Sequence, residues 1–177
     1  MATGTLISVD EYLRTSYSPD KEYVDGELVE INVGDWAHSL VQRNLVVDLT
    51  IQYPNVIAVP ELRSRVTETR YRLPDVCVVV NPPTGRVLAE APLIAIEILS
   101  EDDTVTRLLE KLREYESNGT PNIWVFDPAP RGMFVFDKGS LTEVAGDTIA
   151  TKDGAIQLVR EHIFRGLATS SSPSSPA

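Results

Sequence analysis

Residues 91–100 read Ala91-Pro-Leu-Ile-Ala-Ile-Glu-Ile-Leu-Ser100. Pro92 on one side and Ser100-Glu101-Asp102-Asp103 on the other bound an apolar run too short for a helix, the pattern of a strand covered on both faces. Its single charge is Glu97. An ionised carboxylate in such a place is costly unless a cation or several donors meet it, because desolvation disfavours the charged form. A second acid stands in a comparable run, Asp75, ahead of Val76-Cys77-Val78-Val79-Val80. A divalent metal shared by Asp75 and Glu97 is therefore a candidate reading: hard cations take one or two carboxylates and a backbone carbonyl, and leave other positions to water and phosphate. The bland alternative keeps Asp75 as a turn acid and turns Glu97 out at the sheet edge into solvent.

Outward from this stretch the chain alternates strand and helix signals. Downstream, Thr104–Asn118 predicts a helix with Val105, Leu108, Leu109, Leu112 and Tyr115 on one stripe and Gly119 as its left-handed terminator. Asn122–Phe126 is a further buried strand, so residues 93–126 predict a right-handed parallel crossover. Met133–Phe136 and Leu141–Val144 flank a hairpin turn at Asp137–Ser140; Thr148–Ile149 and Ala155–Val159 suggest an added edge, and Ile163, Phe164 and Leu167 a packed terminal turn. Upstream, Tyr71–Val80 reads as one strand, Thr67–Arg70 as a turn and Val56–Val59 as a short strand. Gly34-Asp35 caps a helix over Trp36–Gln52, with Ala37, Val41, Leu45 and Leu49 at spacing four, widened by Leu40, Val47 and Ile51. Asp25-Gly26 between Lys21–Val24 and Glu27–Ile31 is a strong hairpin signal, and Ser8-x-x-Glu11 is a capping box. The expected fold class is α/β: a mixed central sheet flanked by helices, with antiparallel hairpins at both ends.

The 177 residues carry 42% hydrophobic and 24% charged side chains, ordinary for a globular protein. No apolar run approaches the roughly 20 residues of a membrane span, and Met-Ala-Thr-Gly-Thr-Leu lacks the features of a secretory leader, so no membrane association is expected. The lone cysteine, Cys77, can form no intrachain disulfide, which fits a reducing cytoplasm. With 16 basic against 26 acidic residues, net charge −10, broad non-specific attraction to nucleic acid is disfavoured, while a local basic cleft is compatible. No Gly-rich phosphate loop, Cys/His zinc spacing or Gly-x-Ser-x-Gly elbow occurs.

Three other residues are candidates. Lys111 lies at the margin of its helix's stripe, one turn after Leu108 and one before Tyr115; its ammonium either reaches toward the strand ends or points to water. Glu22 is either a third acid or a solvated strand charge. His38, in the first turn of its helix, reads as a surface or capping histidine, with proton shuttle or metal ligand as alternatives. His162 has no acid or nucleophile pattern around it.

Several pieces, in order, resemble the Uma-two family of the restriction-endonuclease-like PD-(D/E)XK superfamily. They are Glu22–Glu30, His38 opening a helix, Leu73-Pro-Asp-Val76, Ala95-Ile-Glu-Ile-Leu-Ser100, Glu110-Lys-Leu-Arg-Glu-Tyr115, and Gly119 through Trp124-Val-Phe-Asp-Pro128. The resemblance implies a metal-dependent endonuclease acting on DNA, with Asp75, Glu97 and the Ile98 carbonyl holding Mg²⁺ or Mn²⁺ and Glu22 as an accessory acid. The superfamily lysine ordinarily stands two residues after the second acid, where this chain has Leu99; the resemblance nominates Lys111 instead. Where the family has Ser-Pro-Ser, this chain has Ser100-Glu101-Asp102-Asp103, acids that repel a phosphate backbone. A catalytically silent nuclease fold acting through protein association is the alternative. Residues 1–167 are expected to form one such domain and 168–177 a disordered Ser/Pro tail, and the hairpin edges suggest a homodimer.

Overall fold

The computed structural model describes residues 6–31 and 34–168. The expected tail lies outside them apart from Ala168. The first helix, α1 (Val9–Arg14), is capped by Ser8, whose hydroxyl accepts the Glu11 N–H at 3.1 Å. Strands β1 (Lys21–Val24) and β2 (Glu27–Glu30) close through Asp25 and Gly26, with φ +50° and +101°. That is the pair of left-handed residues a two-residue hairpin requires. Asp35 caps α2 (Trp36–Gln52) by accepting from the His38 N–H at 2.8 Å.

Four strands follow: β3 (Ile57–Pro60), β4 (Ser64–Thr67), β5 (Arg70–Arg72) and β6 (Val76–Val79). Then come β7 (Ile94–Ile98), α3 (Val105–Ser117), β8 (Asn122–Asp127), β9 (Gly132–Asp137) and β10 (Ser140–Glu143). The chain closes with β11 (Thr148–Ala150), β12 (Gln157–Val159) and α4 (Arg160–Ile163).

The central sheet has six strands in the order β10-β9-β8-β7-β6-β3, parallel at β7–β8 and antiparallel elsewhere. It is the mixed sheet the sequence predicts, with α3 as the crossover. On one face Val41, Leu45 and Leu49 of α2 pack with Val76, Val78, Ile94, Ile96 and Ile98. On the other, Leu112 and Tyr115 of α3 pack with Ala95, Ile123 and Val125.

Three expectations are corrected. Tyr71–Val80 is two strands, broken at Leu73-Pro74-Asp75: β5 joins a separate four-stranded sheet, β2-β1-β5-β4, while β6 enters the central one. Pro74 has no N–H for a ladder, so the chain changes sheets there. The late strands β11 and β12 pair with each other instead of extending the central sheet. The helix stripes are narrower than expected: Leu40, Val41, Leu45, Leu49, Leu112 and Tyr115 are buried, whereas Ile51 and Val105 are exposed. On α2, Asn44 and Asp48 are buried beside the apolar stripe, where they hold the C-terminal segment: Asn44 Nδ2 donates to the Ile163 carbonyl at 2.9 Å, and Arg165 meets Asp48 at 2.8 Å. Among the described residues no helix is long and apolar enough to cross a membrane.

Candidate active site

The sheet-changing break sets the site. Asp75 lies one step beyond the antiparallel pair Val76↔Ile96, so its register partner is Glu97. Antiparallel partners share a face, and the Ile94, Ile96 and Ile98 side chains occupy the face toward α2, which turns Glu97 toward α3. There, α3 presents Lys111 and Tyr115 four residues apart on one face. Lys111 Nζ donates to Glu97 Oε2 at 2.6 Å and Tyr115 Oη to Glu97 Oε1 at 2.6 Å. The side chain the stripe left ambiguous thus points inward.

Glu22 on β1 is 1% exposed and is no solvated charge. Its Oε1 lies 3.1 Å from Lys111 Nζ, and Oε2 accepts from Arg72 Nη1 at 2.8 Å. Arg72 in turn donates through Nε to Glu114 Oε2 at 2.6 Å. The result is an unbroken chain of charges, Glu114–Arg72–Glu22–Lys111–Glu97, which ties the four-stranded sheet to α3 and the central sheet.

Asp75 is held from two sides. The Ile98 N–H donates to Oδ2 at 2.6 Å, and His38 Nε2 lies 3.2 Å from Oδ1. His38 is buried against this acid, which corrects the surface reading: the Asp35 cap fixes the first turn of α2, and position 38 faces the strand ends. Glu22, His38, Asp75, Glu97, Ile98 and Lys111 all line one cavity of about 310 Å³. Asp103 and Arg107 also line it, so one of the three acids after Ser100 reaches the site itself.

The electrostatics follow from counting partners. Burial pushes the Glu97 carboxyl up, to about 7; Lys111 pulls it down, and the Asp75 and Glu22 charges push it further up. Burial would also raise Glu22, but Lys111 and Arg72 together hold it below the usual carboxylate range. The two acids share one ammonium, and only Glu22 has a guanidinium as well. Burial acts to lower Lys111 and is overcome by Glu97, Glu22 and Asp75, which raise it; burial likewise lowers His38, and the hydrogen bond and charge of Asp75 win. Around Glu97 the site is short of positive charge.

Sequence reasoning missed Arg72, Glu114 and Tyr115. By periodicity Tyr115 reads as an apolar stripe residue, although its spacing from Lys111 is a shared-face signal. Arg72 interrupts the run Tyr71-Arg72-Leu73, and a cation in a buried run calls for the same question asked of Glu97.

Among solved structures, the chain is similar to a protein described as "a putative nuclease belonging to DUF820 from Anabaena variabilis ATCC 29413". The two are 22% identical, with 89% of this chain and 97% of that chain covered and a TM-score of 0.75, so they share a fold. A chain of the cryoEM structure of a DrdV–DNA complex aligns over 61% of this chain and 84% of its own, at 13% identity and a TM-score of 0.33, too low to place the two in one fold. No curated protein matches the chain. A family-level comparison matches residues 9–164 to Uma2, described as "Putative restriction endonuclease".

Proposed function

The chain belongs to the Uma2 family, and from that premise we propose that it is a metal-dependent endonuclease that hydrolyses DNA phosphodiester bonds at the cavity between β6, β7 and α3. The observation that carries the proposal is the convergence of Asp75, Glu97 and Lys111 on that cavity from the break before β6, from β7 and from α3. The donor set suits a hard dication: Asp75, Glu97 and the Ile98 carbonyl offer only oxygen, and Glu97 shares its one ammonium, Lys111, with Glu22. No cluster of three or more His, Cys, Asp or Glu side chains that could hold a metal occurs among the described residues. Two carboxylates and a carbonyl suit Mg²⁺ or Mn²⁺, which keep water and phosphate as their other ligands. When bound, the ion would supply Lewis-acid polarisation of a phosphoryl oxygen.

The chain's own groups do the rest. His38 and the Ile98 N–H hold the Asp75 carboxylate in one orientation, and Tyr115 does the same for Glu97. Lys111, which lines the same cavity, would direct an attacking water and offset charge building on the phosphate. Glu22, anchored by Arg72, retains the ammonium within the cavity.

The test is digestion of duplex, single-stranded and branched DNA with Mn²⁺ or Mg²⁺, alongside titration calorimetry of the metal. Asp75→Asn and Glu97→Ala should abolish both metal binding and cleavage, whereas Lys111→Ala should keep the metal and lose rate by about 10²–10³-fold. Unchanged Mn²⁺ binding in Glu97→Ala overturns the assignment. A second reading, a nuclease fold that acts by protein association without cutting, draws support from Asp103 at the cavity and from exposed Glu101 and Asp102. A metal-dependent cleavage ladder lost in Asp75→Asn removes it.

A further inference from the structure

A second cavity, of about 520 Å³, adjoins the first, and the two share Leu99, Ser100, Asp103 and Leu108 in their walls. The first turn of α2 divides them: Gly34, His38 and Ser39 line the acidic site, whereas Asp35, Trp36 and Ala37 line its neighbour. The character of the second chamber is different. Its walls are Trp36, Leu99, Val105, Leu108, Pro128 and Ala129, and Trp36 and Val105 are 76% and 72% exposed. Its polar lining includes Asp35, Glu101, Asp103 and Asp127, which when ionised only accept hydrogen bonds; one oxygen each of Asp35, Asp103 and Asp127 already accepts a backbone N–H, from His38, Ser100 and Ala129.

The geometry points to this chamber as the seat of an unpaired nucleobase next to the cleaved phosphate, stacked on Trp36, so that the preferred substrate is a strand with an unstacked base and not an intact duplex. The inference rests on the nuclease reading of the adjoining site. Of the three parts of a nucleic acid, phosphate is repelled by the four carboxylates, and the sugar has no flat face to lay on an indole. A base has one π-face for Trp36, a second for the Leu and Val walls, and N–H donors on its edge for acceptor-only groups. The cavity lies within the range of about 300–1,000 Å³ that small-molecule sites occupy. Its walls are continuous with those of the cavity that would hold the scissile phosphate, so adjacent parts of one nucleotide can enter the two chambers. An exposed indole at the first position of a helix also lacks a packing role, since the buried face of α2 begins at His38 and Leu40.

The experiment is fluorescence anisotropy of the full-length protein with a labelled single-stranded deoxyoligonucleotide, the same strand with abasic internal positions, and its duplex, in Ca²⁺ at low salt. The intact strand should bind about tenfold tighter than the abasic strand and tighter than the duplex. Trp36→Ala should weaken the intact strand by about tenfold, the size of one lost stack, and leave the abasic strand unmoved. Trp36→Phe should restore most of the loss. Ala129→Trp, which adds aromatic area but fills the chamber from its exposed rim, should weaken the intact strand as well. Equal binding of intact and abasic strands, tighter binding of the duplex, no binding of any strand, or indifference to both Trp36→Ala and Ala129→Trp overturns the inference. The readout needs no cleavage. A base effect without Mn²⁺-dependent cutting overturns only the nuclease reading; cutting without a base effect overturns only this one.

Discussion

The two faces of β7 are equally dry and opposite in character. Toward α2, Ile94, Ile96 and Ile98 enter an apolar cluster in which non-directional burial holds the structure together. Toward α3, Ala95 joins a second cluster, but Glu97, 6% exposed, carries a charge into it and is met by Lys111 and Tyr115 at 2.6 Å each. One face is held by area removed from water alone; the other adds to its apolar cluster a few directed bonds whose loss leaves a buried charge unmatched. The lesson is that burial alone does not say what a strand residue does; its partners across the gap do.

The comparison can be tested from its most sensitive point downward. Lys111→Met keeps most of the stem but removes the ammonium that Glu22 and Glu97 share. Removing one partner of a buried ion pair typically costs about 3–5 kcal/mol, and denaturant unfolding should show a loss of that order. On the opposite face, Ile96→Ala removes buried methyl groups with no charge involved; an expected loss of about 2–5 kcal/mol in the same assay should be independent of pH and salt. If Lys111→Met is harmless while Ile96→Ala is not, the charged face is no more than a decorated core.

Tyr115→Phe is a finer probe. It deletes one oxygen and leaves Glu97 Oε1 without its donor, for an expected loss of about 1–3 kcal/mol. The same change should lower metal affinity by calorimetry, because the carboxylate is no longer held in one orientation.

The smallest effect is a slope. Glu97 is held at about 7 in the fold against an ordinary value of 4.5, so the fold binds a proton that the unfolded chain has released between those values. A raised carboxyl favours the fold at low pH and loses that advantage as pH climbs. The metal-free protein should therefore lose stability through that window, by at most about 1.4 kcal/mol per pH unit for a single proton. Glu22, held low, acts in the opposite sense: its contribution is present above the ordinary carboxylate value and is lost as pH falls below it. Subtracting the Glu97→Gln profile isolates the Glu97 part, and a difference curve that is flat from pH 4 to 8 would contradict the charge balance drawn for this face.

Much of the fold was legible because it is written in local pattern. The Asp25-Gly26 hairpin, the Asp35 cap, the crossover helix and the buried run at 94–98 each depend on neighbours a few residues apart, where turn chemistry and periodicity act directly. The candidate acids were legible for a related reason, that a carboxylate within an apolar run is anomalous wherever the chain goes. The break at Leu73-Pro74-Asp75 was signalled by its proline, yet its consequence was not, since which sheet each half joins depends on pairing with residues such as Tyr23 and Ile96 far along the chain.

What the sequence determined by itself was which groups are expensive to bury: Glu97, Asp75 and Arg72, each a charge in an apolar run. What only the tertiary structure decided was how each is satisfied. Lys111 turns inward, Tyr115 spends its hydroxyl on a carboxylate, His38 leaves the surface for Asp75, and Glu22 is divided between an ammonium and a guanidinium. The reason is physical. Desolvation is a property of one residue and can be read where it stands, whereas a compensating bond needs two groups within about 3 Å, and that proximity is set by the packing of separate sheets and helices.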